Sequence, residues 1–172
     1  MAEYVRVAVD AMGGDNAPLE IVKGAVCAVN ANSQVRVLLL GDETAVRTEL
    51  ARYSYPEDRV EVIPTTEVIE MAEPPVNAIR TKRDSSIVRG MKMVHDGEAD
   101  AFVTAGSSGA TLVGGQIIVG RIKGIERPPL APLLPTAKGP VLLIDCGANV
   151  DARASQLVQF AQMGCLLYTS DA

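Results

Sequence analysis

Two aspartates flank a pair of glycines in the stretch Asp10-Ala11-Met12-Gly13-Gly14-Asp15-Asn16. Adjacent glycines allow a sharp turn that exposes consecutive backbone N–H groups, an arrangement that captures anions. The stretch follows the alternating Val5-Arg6-Val7-Ala8-Val9 and precedes a helical pattern opening at Pro18. A helix start just past a strand end is a ready seat for a phosphate or carboxylate. The same residues also suit a plain tight turn in which Asp15 or Asn16 caps the helix. Two other polar, glycine-bearing stretches follow apolar runs in the same way: Gly106-Ser107-Ser108-Gly109 after residues 101–104, and Asp145-Cys146-Gly147-Ala148-Asn149 after residues 141–144.

Other chemistries fit less well. Gly106-x-x-Gly109 lacks the dinucleotide glycine spacing, no strand end supplies an acidic ribose ligand at the usual distance, and no Gly-Lys-Ser/Thr occurs. The single histidine, His95, stands beside Asp96-Gly97 at a helix end, a surface placement rather than that of a triad base. Cys146 beside Asp145 reads better as a buried structural thiol than as a nucleophile. The odd set Cys27, Cys146 and Cys165 has no CxxC spacing, which suits a reducing compartment and buried thiols and leaves no structural zinc site. What remains is anion capture by backbone N–H groups assisted by Arg and Lys, with carboxylates and hydroxyls close by.

The elements that must hold these stretches alternate along the chain. Residues 35–40 form a run that is apolar but for Arg36 and is closed by Gly41, as in a strand buried on both faces, and Val60-Glu61-Val62-Ile63 reads as a further strand. Helical stripes occupy residues 18–29, a segment after an Asp42 cap to Arg52, a short 76–82 segment, Asp84 to His95, residues 109–121, and Ser155 to Gly164. Gly114 and Gly115 inside one of these imply either close backbone packing or a break. The loop at residues 65–75 is expected to be exposed. Strands alternating with helices imply an α/β three-layer sandwich with a mainly parallel, Rossmann-like sheet, whose ligands bind beyond the carboxyl ends of the strands.

With 172 residues, 48% of them hydrophobic, the chain suits one globular core. No apolar run approaches the roughly 20 residues that span a bilayer, and the Met1-Ala2-Glu3-Tyr4 start directs no secretion, so a cytoplasmic location is expected. A net charge of −5 argues against bulk nucleic-acid binding. Positive charge nevertheless gathers at Arg80, Lys82, Arg83, Arg89 and Lys92, and again at Arg121, Lys123 and Arg127, as solvated faces or as docking sites for an anion or acidic partner.

Four motifs occur in order: Val9-Asp10-Ala11-Met12-Gly13-Gly14-Asp15; Pro75-Val76-x-Ala78-Ile79-Arg80-x-Lys82-Arg83-Asp84-Ser85-Ser86; Ala105-Gly106-Ser107-Ser108-Gly109-Ala110; and Asp145-x-Gly147-Ala148-Asn149-Val150-Asp151. Together they resemble the bacterial phosphate acyltransferases of phospholipid synthesis over residues 5–164. The resemblance implies a fold like that of phosphotransacetylases and isopropylmalate dehydrogenase. It implies fatty acyl transfer from acyl carrier protein to inorganic phosphate, without metal or nucleotide cofactor. Homodimers at the cytoplasmic membrane face are also implied. Arg80 and Lys82 are expected to neutralise phosphate, and Asp84, Ser85 and Ser86 to orient it or relay a proton to the departing thiolate. Gly13, Gly14, Gly106, Ser107, Ser108 and Gly109 would present N–H groups and hydroxyls, while Asp10, Asp15, Asn16, Asp145 and Asn149 would shape the pocket. Ser107-Ser108 stands where the family usually has Asn-Thr. Residues 1–164 are expected to be the first part of a single α/β domain, and residues 165–172 a non-native tail after truncation. The rival readings are a fragment retaining only anion or partner binding, and a nucleotide-binding dehydrogenase-like enzyme.

Overall fold

In the computed structural model, which describes residues 4–149 and 151–170, the alternating and apolar runs become strands and the stripes become helices. The readings of the Met1-Ala2-Glu3 start, of Val150 and of the last two residues of the 165–172 tail lie outside the described residues. The chain divides into two compact units, Met1–Gly120 and Arg121–Ala172.

The first unit holds β1 (Val5–Asp10), β2 (Val35–Gly41), β3 (Val60–Pro64) and β4 (Ala101–Val103), all parallel, in the order β3-β2-β1-β4. Its helices are α1 (Leu19–Ala31), α2 (Glu43–Leu50), α3 (Pro75–Thr81), α4 (Ser86–His95) and α5 (Ser108–Gly114). The pleat of β2 divides the layers. Val37 and Leu39 point to one face and join Val22, Val26 and Val29 of α1 with Val46 and Leu50 of α2. Leu38 and Leu40 point to the other, with Ala8, Ala99 and half-buried Met93 and Val94. Helices on both faces of a parallel sheet make the expected α/β sandwich. Burying one such Val or Leu side chain contributes about 1.5–3 kcal/mol, so the apolar run of β2 anchors both layers at once.

Several local expectations are corrected. Asp42 does cap α2, accepting from the Ala45 N–H at 2.7 Å, but α4 is capped by Ser85 rather than Asp84. Neither Asp15 nor Asn16 caps α1; Pro18 precedes it without a side-chain cap. The 65–75 loop is not wholly exposed, because Thr65 and Ile69 are buried and Glu67 bridges in parallel to Ser85. Cys27 and Cys165 are exposed and Cys146 half-buried, so the cysteines are not core thiols.

In the second unit, residues 141–144 do not continue the parallel sheet. β5 (Leu133–Thr136) and β6 (Gly139–Leu142) pair antiparallel as a separate hairpin, with Thr136 opposite Gly139. Only Ala137 and Lys138 separate the strands, and so short a turn can join only antiparallel neighbours. Gly139 supplies the positive φ of 118° there. The last helix, α6 (Ala154–Ser170), runs past Gly164.

Both readings of Gly114-Gly115 hold. The helix switches to π geometry over Gly115–Val119, and a Cβ on Gly114 would crowd the Met91 sulfur and lie 3.3 Å from Ile79 Cδ1. Gly90 in α4 is tighter still, since a Cβ there would run into the rigid ring of Phe102 on β4. Gly90→Ala should therefore destabilise by about 1–3 kcal/mol through overpacking, despite its better helix propensity. Gly114→Ala, which meets only flexible side-chain ends, should change stability by less than about 1 kcal/mol. Urea midpoints at unchanged m-values compare the two, and an equal or reversed ranking refutes the packing account.

Candidate functional site

The chain runs from β1 outward to β3, then returns to place β4 on the other side of β1. The strand order therefore reverses between β1 and β4, and ligands of open α/β sheets bind in the crevice at the carboxyl ends of such a pair. At those ends stand residues 10–16 and 104–109.

Asp10, only 1% exposed, joins them. Its Oδ1 accepts from the Met12 N–H at 3.1 Å, and its Oδ2 accepts from the Thr104 hydroxyl at 2.7 Å. Thr104 Oγ1 accepts in turn from the Gly106 N–H at 2.9 Å. The backbones then approach closely. A Cβ on Gly13 would collide with Asp10 Oδ2 and lie 2.8 Å from the Gly106 nitrogen. Gly14, at φ 94°, faces the Ala105 carbonyl, which a Cβ would meet at 3.1 Å. Ser107, 3% exposed, caps α5 by accepting from the Ala110 N–H at 3.2 Å.

These contacts sort the local donors. The N–H groups of Met12, Gly106 and Ala110 are taken, whereas those of Gly13, Gly14, Ser108 and Gly109 have no partner among the described residues. Free N–H groups thus come from two loops whose backbones touch, a concavity suited to an anion. Asp15, Asn16 and Ser108 are exposed at its margin.

The second motif stands beside the α5 start. Pro75, first residue of α3, packs where a Cβ on Gly109 would meet its Cγ at 2.8 Å. Arg80, in the last turn of α3, is exposed, and its guanidinium has no partner among the described residues. Lys82 differs: its Nζ donates to the Val68 carbonyl at 2.6 Å and pairs with Glu73, tying down the 65–75 loop. That hydrogen bond, joined by the Glu70 N–H, holds the Glu73 carboxyl below its usual range. Asp84 accepts from the Thr66 hydroxyl at 2.7 Å and its N–H at 3.0 Å, and pairs with Arg89 at 2.7 Å. The Thr66 hydroxyl is the chief reason its pKa falls below the ordinary value, with Arg89 adding to it against desolvation. Ser85 is fully buried, donating to the Lys82 carbonyl at 2.8 Å while capping α4, and Ser86 is 2% exposed.

Asp145 and Asn149 belong to the second unit. Asp145 accepts from the Leu130 N–H at 2.6 Å and from the Asn149 N–H at 2.8 Å. Burial works to raise its pKa, but these backbone donors and the Asn149 amide outweigh it and leave the carboxyl lowered.

Thr104, Thr66 and Glu73 were not singled out by the sequence. Thr104 carried a signal, a hydroxyl at a strand end directly before the glycine stretch. Thr65 is also new: it is buried just past the end of β3, its N–H donates to the Gly41 carbonyl at 2.9 Å, and its hydroxyl has no partner among the described residues.

A family model described as "Fatty acid synthesis protein" matches residues 5–170. The chain belongs to this family. Curated relatives named phosphate acyltransferase from Clostridium beijerinckii and Halothermothrix orenii are 47% and 46% identical over 164 and 160 residues. The alignments cover 95% and 93% of this chain but 49% and 48% of theirs, so the chain spans about half the length of the curated relatives it matches. Solved phosphotransacetylases from Streptococcus pyogenes and Staphylococcus aureus superpose with a TM-score of 0.64 at 19% and 21% identity. They cover 92% and 93% of this chain and 51% of each of theirs, and the likeness speaks to the fold.

Asp84 gives a pH prediction. A carboxyl whose folded pKa lies below its unfolded value of about 3.9 stabilises the fold above that value. The contribution is lost as pH falls below it, through the lowered folded pKa. Asp84→Asn should therefore reduce stability near neutrality and flatten the acid limb of the stability profile below about pH 4. Urea midpoints from pH 7 to pH 2.5 measure it, and a variant whose acid limb parallels the wild type's shows that Asp84 does not contribute.

Proposed function

We propose that this chain carries the phosphate-binding part of an enzyme that transfers a fatty acyl group from acyl-acyl carrier protein to inorganic phosphate. The product would be an acyl phosphate for phospholipid synthesis. The observation that carries the reading is the set of unpartnered N–H groups of Gly13, Gly14, Ser108 and Gly109 at the β1/β4 switch point. Family membership supports it.

In this reaction a phosphate oxygen attacks the thioester carbonyl carbon. The C–O bond forms, charge gathers on the carbonyl oxygen, and the C–S bond then breaks to release the carrier thiolate, which takes up a proton. The protein's task is positioning and electrostatic stabilisation. The free N–H groups hold phosphate or the oxyanion. Arg80 supplies the neutralising charge from the last turn of α3; Lys82 is balanced by Glu73 and Arg89 by Asp84, and Arg83 Nε donates to the Arg80 carbonyl. Asp10 and Thr104 hold the two loops together. Ser86 and Ser108 remain as hydroxyls for orienting phosphate, and Asp84 and Ser85 act by setting the α4 start. Asp145 and Asn149 are paired with each other in the second unit. Asp15 and Asn16 would frame the rim of the pocket. The acidic carrier protein would dock on the 80–92 or 121–127 basic segment. Homodimerisation and peripheral membrane contact belong to the same reading, as does the assignment of residues 1–164 to the first part of one α/β domain.

A second reading, anion binding without turnover, is favoured by one fact: the chain spans about half of each curated relative. Acyl-phosphate formation from palmitoyl-acyl carrier protein and phosphate separates the two when this chain is assayed with and without the second half of a relative. Activity in neither preparation sinks the transferase reading. In the active preparation, Arg80→Ala should raise the phosphate KM about 10- to 100-fold, as befits loss of a charge-assisted contact of about 1.5–3 kcal/mol. Arg80→Lys should recover part of the loss. An unchanged phosphate KM in the folded alanine variant removes Arg80 from the site.

A further inference from the structure

Lys82 closes a ring around α3. Its backbone N–H ends the helix on the Ala78 carbonyl at 2.9 Å. Its ammonium turns back to the segment before the helix, donating to the Val68 carbonyl at 2.6 Å and pairing with Glu73. The two side chains are 29% and 27% exposed, so solvent and salt screen this pair less than a fully exposed one. Glu73 Oε1 also accepts from the Glu70 N–H at 2.8 Å, and the Glu73 N–H donates to the Glu70 carbonyl at 3.2 Å, which folds residues 70–73 about the carboxylate. From Glu73 the chain passes only Pro74 before Pro75 opens α3. Two successive prolines fix both φ angles, so little slack separates the carboxylate from the Pro75 ring. That ring fills the space beside Gly109, where a Cβ would lie 2.8 Å from Pro75 Cγ. Gly109 and its neighbour Ser108 supply two of the free N–H groups of the anion seat. At the other end of α3, Arg80 stands two residues before Lys82. The ring thus bears on the α5 start through Pro75 and on the free guanidinium through the last turn of α3.

We infer that Lys82 and Glu73 are positioning residues of the phosphate seat, their ion pair fixing where Pro75 and Arg80 stand and so the spacing between the Arg80 guanidinium and the N–H groups of Ser108 and Gly109. The inference rests on the proposed reading of that seat as the phosphate site. It replaces the role that the family resemblance implies for Lys82, direct neutralisation of phosphate. The Lys82 ammonium already donates to a carbonyl and a carboxylate, and that carboxylate balances its charge. The two roles differ in sign. If Lys82 met phosphate directly, deleting the Glu73 carboxylate would release its charge and tighten phosphate binding. If the pair positions the seat, the same deletion loosens it.

The test measures the phosphate KM in the active preparation of the transfer assay. Glu73→Ala and Lys82→Met should each raise it about fivefold or more while leaving the KM for the acyl-carrier donor unchanged, a split that general loss of stability would not produce. The double variant should raise it no further than the worse single change, as for two members of one contact. Glu73→Gln, which keeps an acceptor for both of its hydrogen bonds, should recover part of the loss, and it carries the same sign test if the alanine variant does not fold. A phosphate KM that is unchanged or lower in the folded Glu73 variants overturns the inference. A second readout involves neither phosphate nor acyl transfer. The N–H groups of Ala110 and Thr111 donate to the Ser107 hydroxyl at 3.2 Å and the Ser107 carbonyl at 2.9 Å, and so report the α5 start. In the 172-residue chain, hydrogen exchange of these two amides should be about tenfold faster in Glu73→Ala, with the amides of Val26 and Val29 in α1 unchanged. Unchanged exchange at Ala110 and Thr111 overturns the inference. Faster exchange there, with no acyl phosphate formed by any preparation, sinks the proposed activity and leaves the positioning of the α5 start standing.

Discussion

The close approach of two glycine backbones governs the first unit's functional end. Gly13 can stand against Gly106 because it carries no Cβ, and the Asp10 carboxyl occupies the space one would fill; a Cβ on Gly106 would be tight, 3.2 Å from Asp10 Oδ2 and 3.3 Å from Gly13 Cα. That carboxyl then spends its oxygens on Met12 and, through Thr104, on the loop bearing Gly106. Everything nearby follows from this stitch. The donors not consumed by it face outward from two loops held at a fixed spacing, and α5 starts where Ser107 can cap it. β4 is only three residues long and pairs over three positions with β1, so side-chain bonding supplements a short ladder.

Charge is arranged with similar economy. Of the cations along residues 80–89, Lys82 and Arg89 are each matched by a carboxylate and serve to fix the 65–75 loop and the α4 start, while Arg83 Nε donates to the Arg80 carbonyl. Arg80 keeps its charge uncommitted at the end of a helix whose first residue packs on Gly109. A cluster of basic residues in sequence is thus divided between architecture and anion capture, a distinction that depends on where Glu73 and Asp84 fall in space.

The sandwich was legible because its signals are local and redundant. Residues 35–40, apolar but for Arg36 and closed by glycine, fit a strand buried on both faces, and the helical stripes on either side of it were long enough to set the period. Asp10, Gly13 and Gly106 were legible as candidates because glycine and carboxyl at strand ends are rare combinations with few structural uses. Residues 141–144 misled because an apolar run looks the same in a parallel sheet and in a hairpin; the turn at Ala137-Lys138 decides. Asp84 was read as a cap by its type, but Ser85 won the position and Asp84 turned to Thr66, a partner 18 residues away that no periodicity reveals. The buried hydroxyl of Thr65 left no trace in the sequence at all.

The distribution of core residues has a consequence for the order of folding. All three buried apolar clusters among the described residues draw on the first unit, whereas the second contributes Phe160 as its buried large hydrophobic side chain. Domains emerging from synthesis tend to fold from the amino end as they become complete. Residues up to Gly120 hold a sheet, two covering layers and the stitched loops, so they can reach their native arrangement while the hairpin and α6 are still being made. The candidate phosphate pocket would then be built early, and the apolar hairpin and uncharged helix would be the late-consolidating, aggregation-exposed part of the molecule.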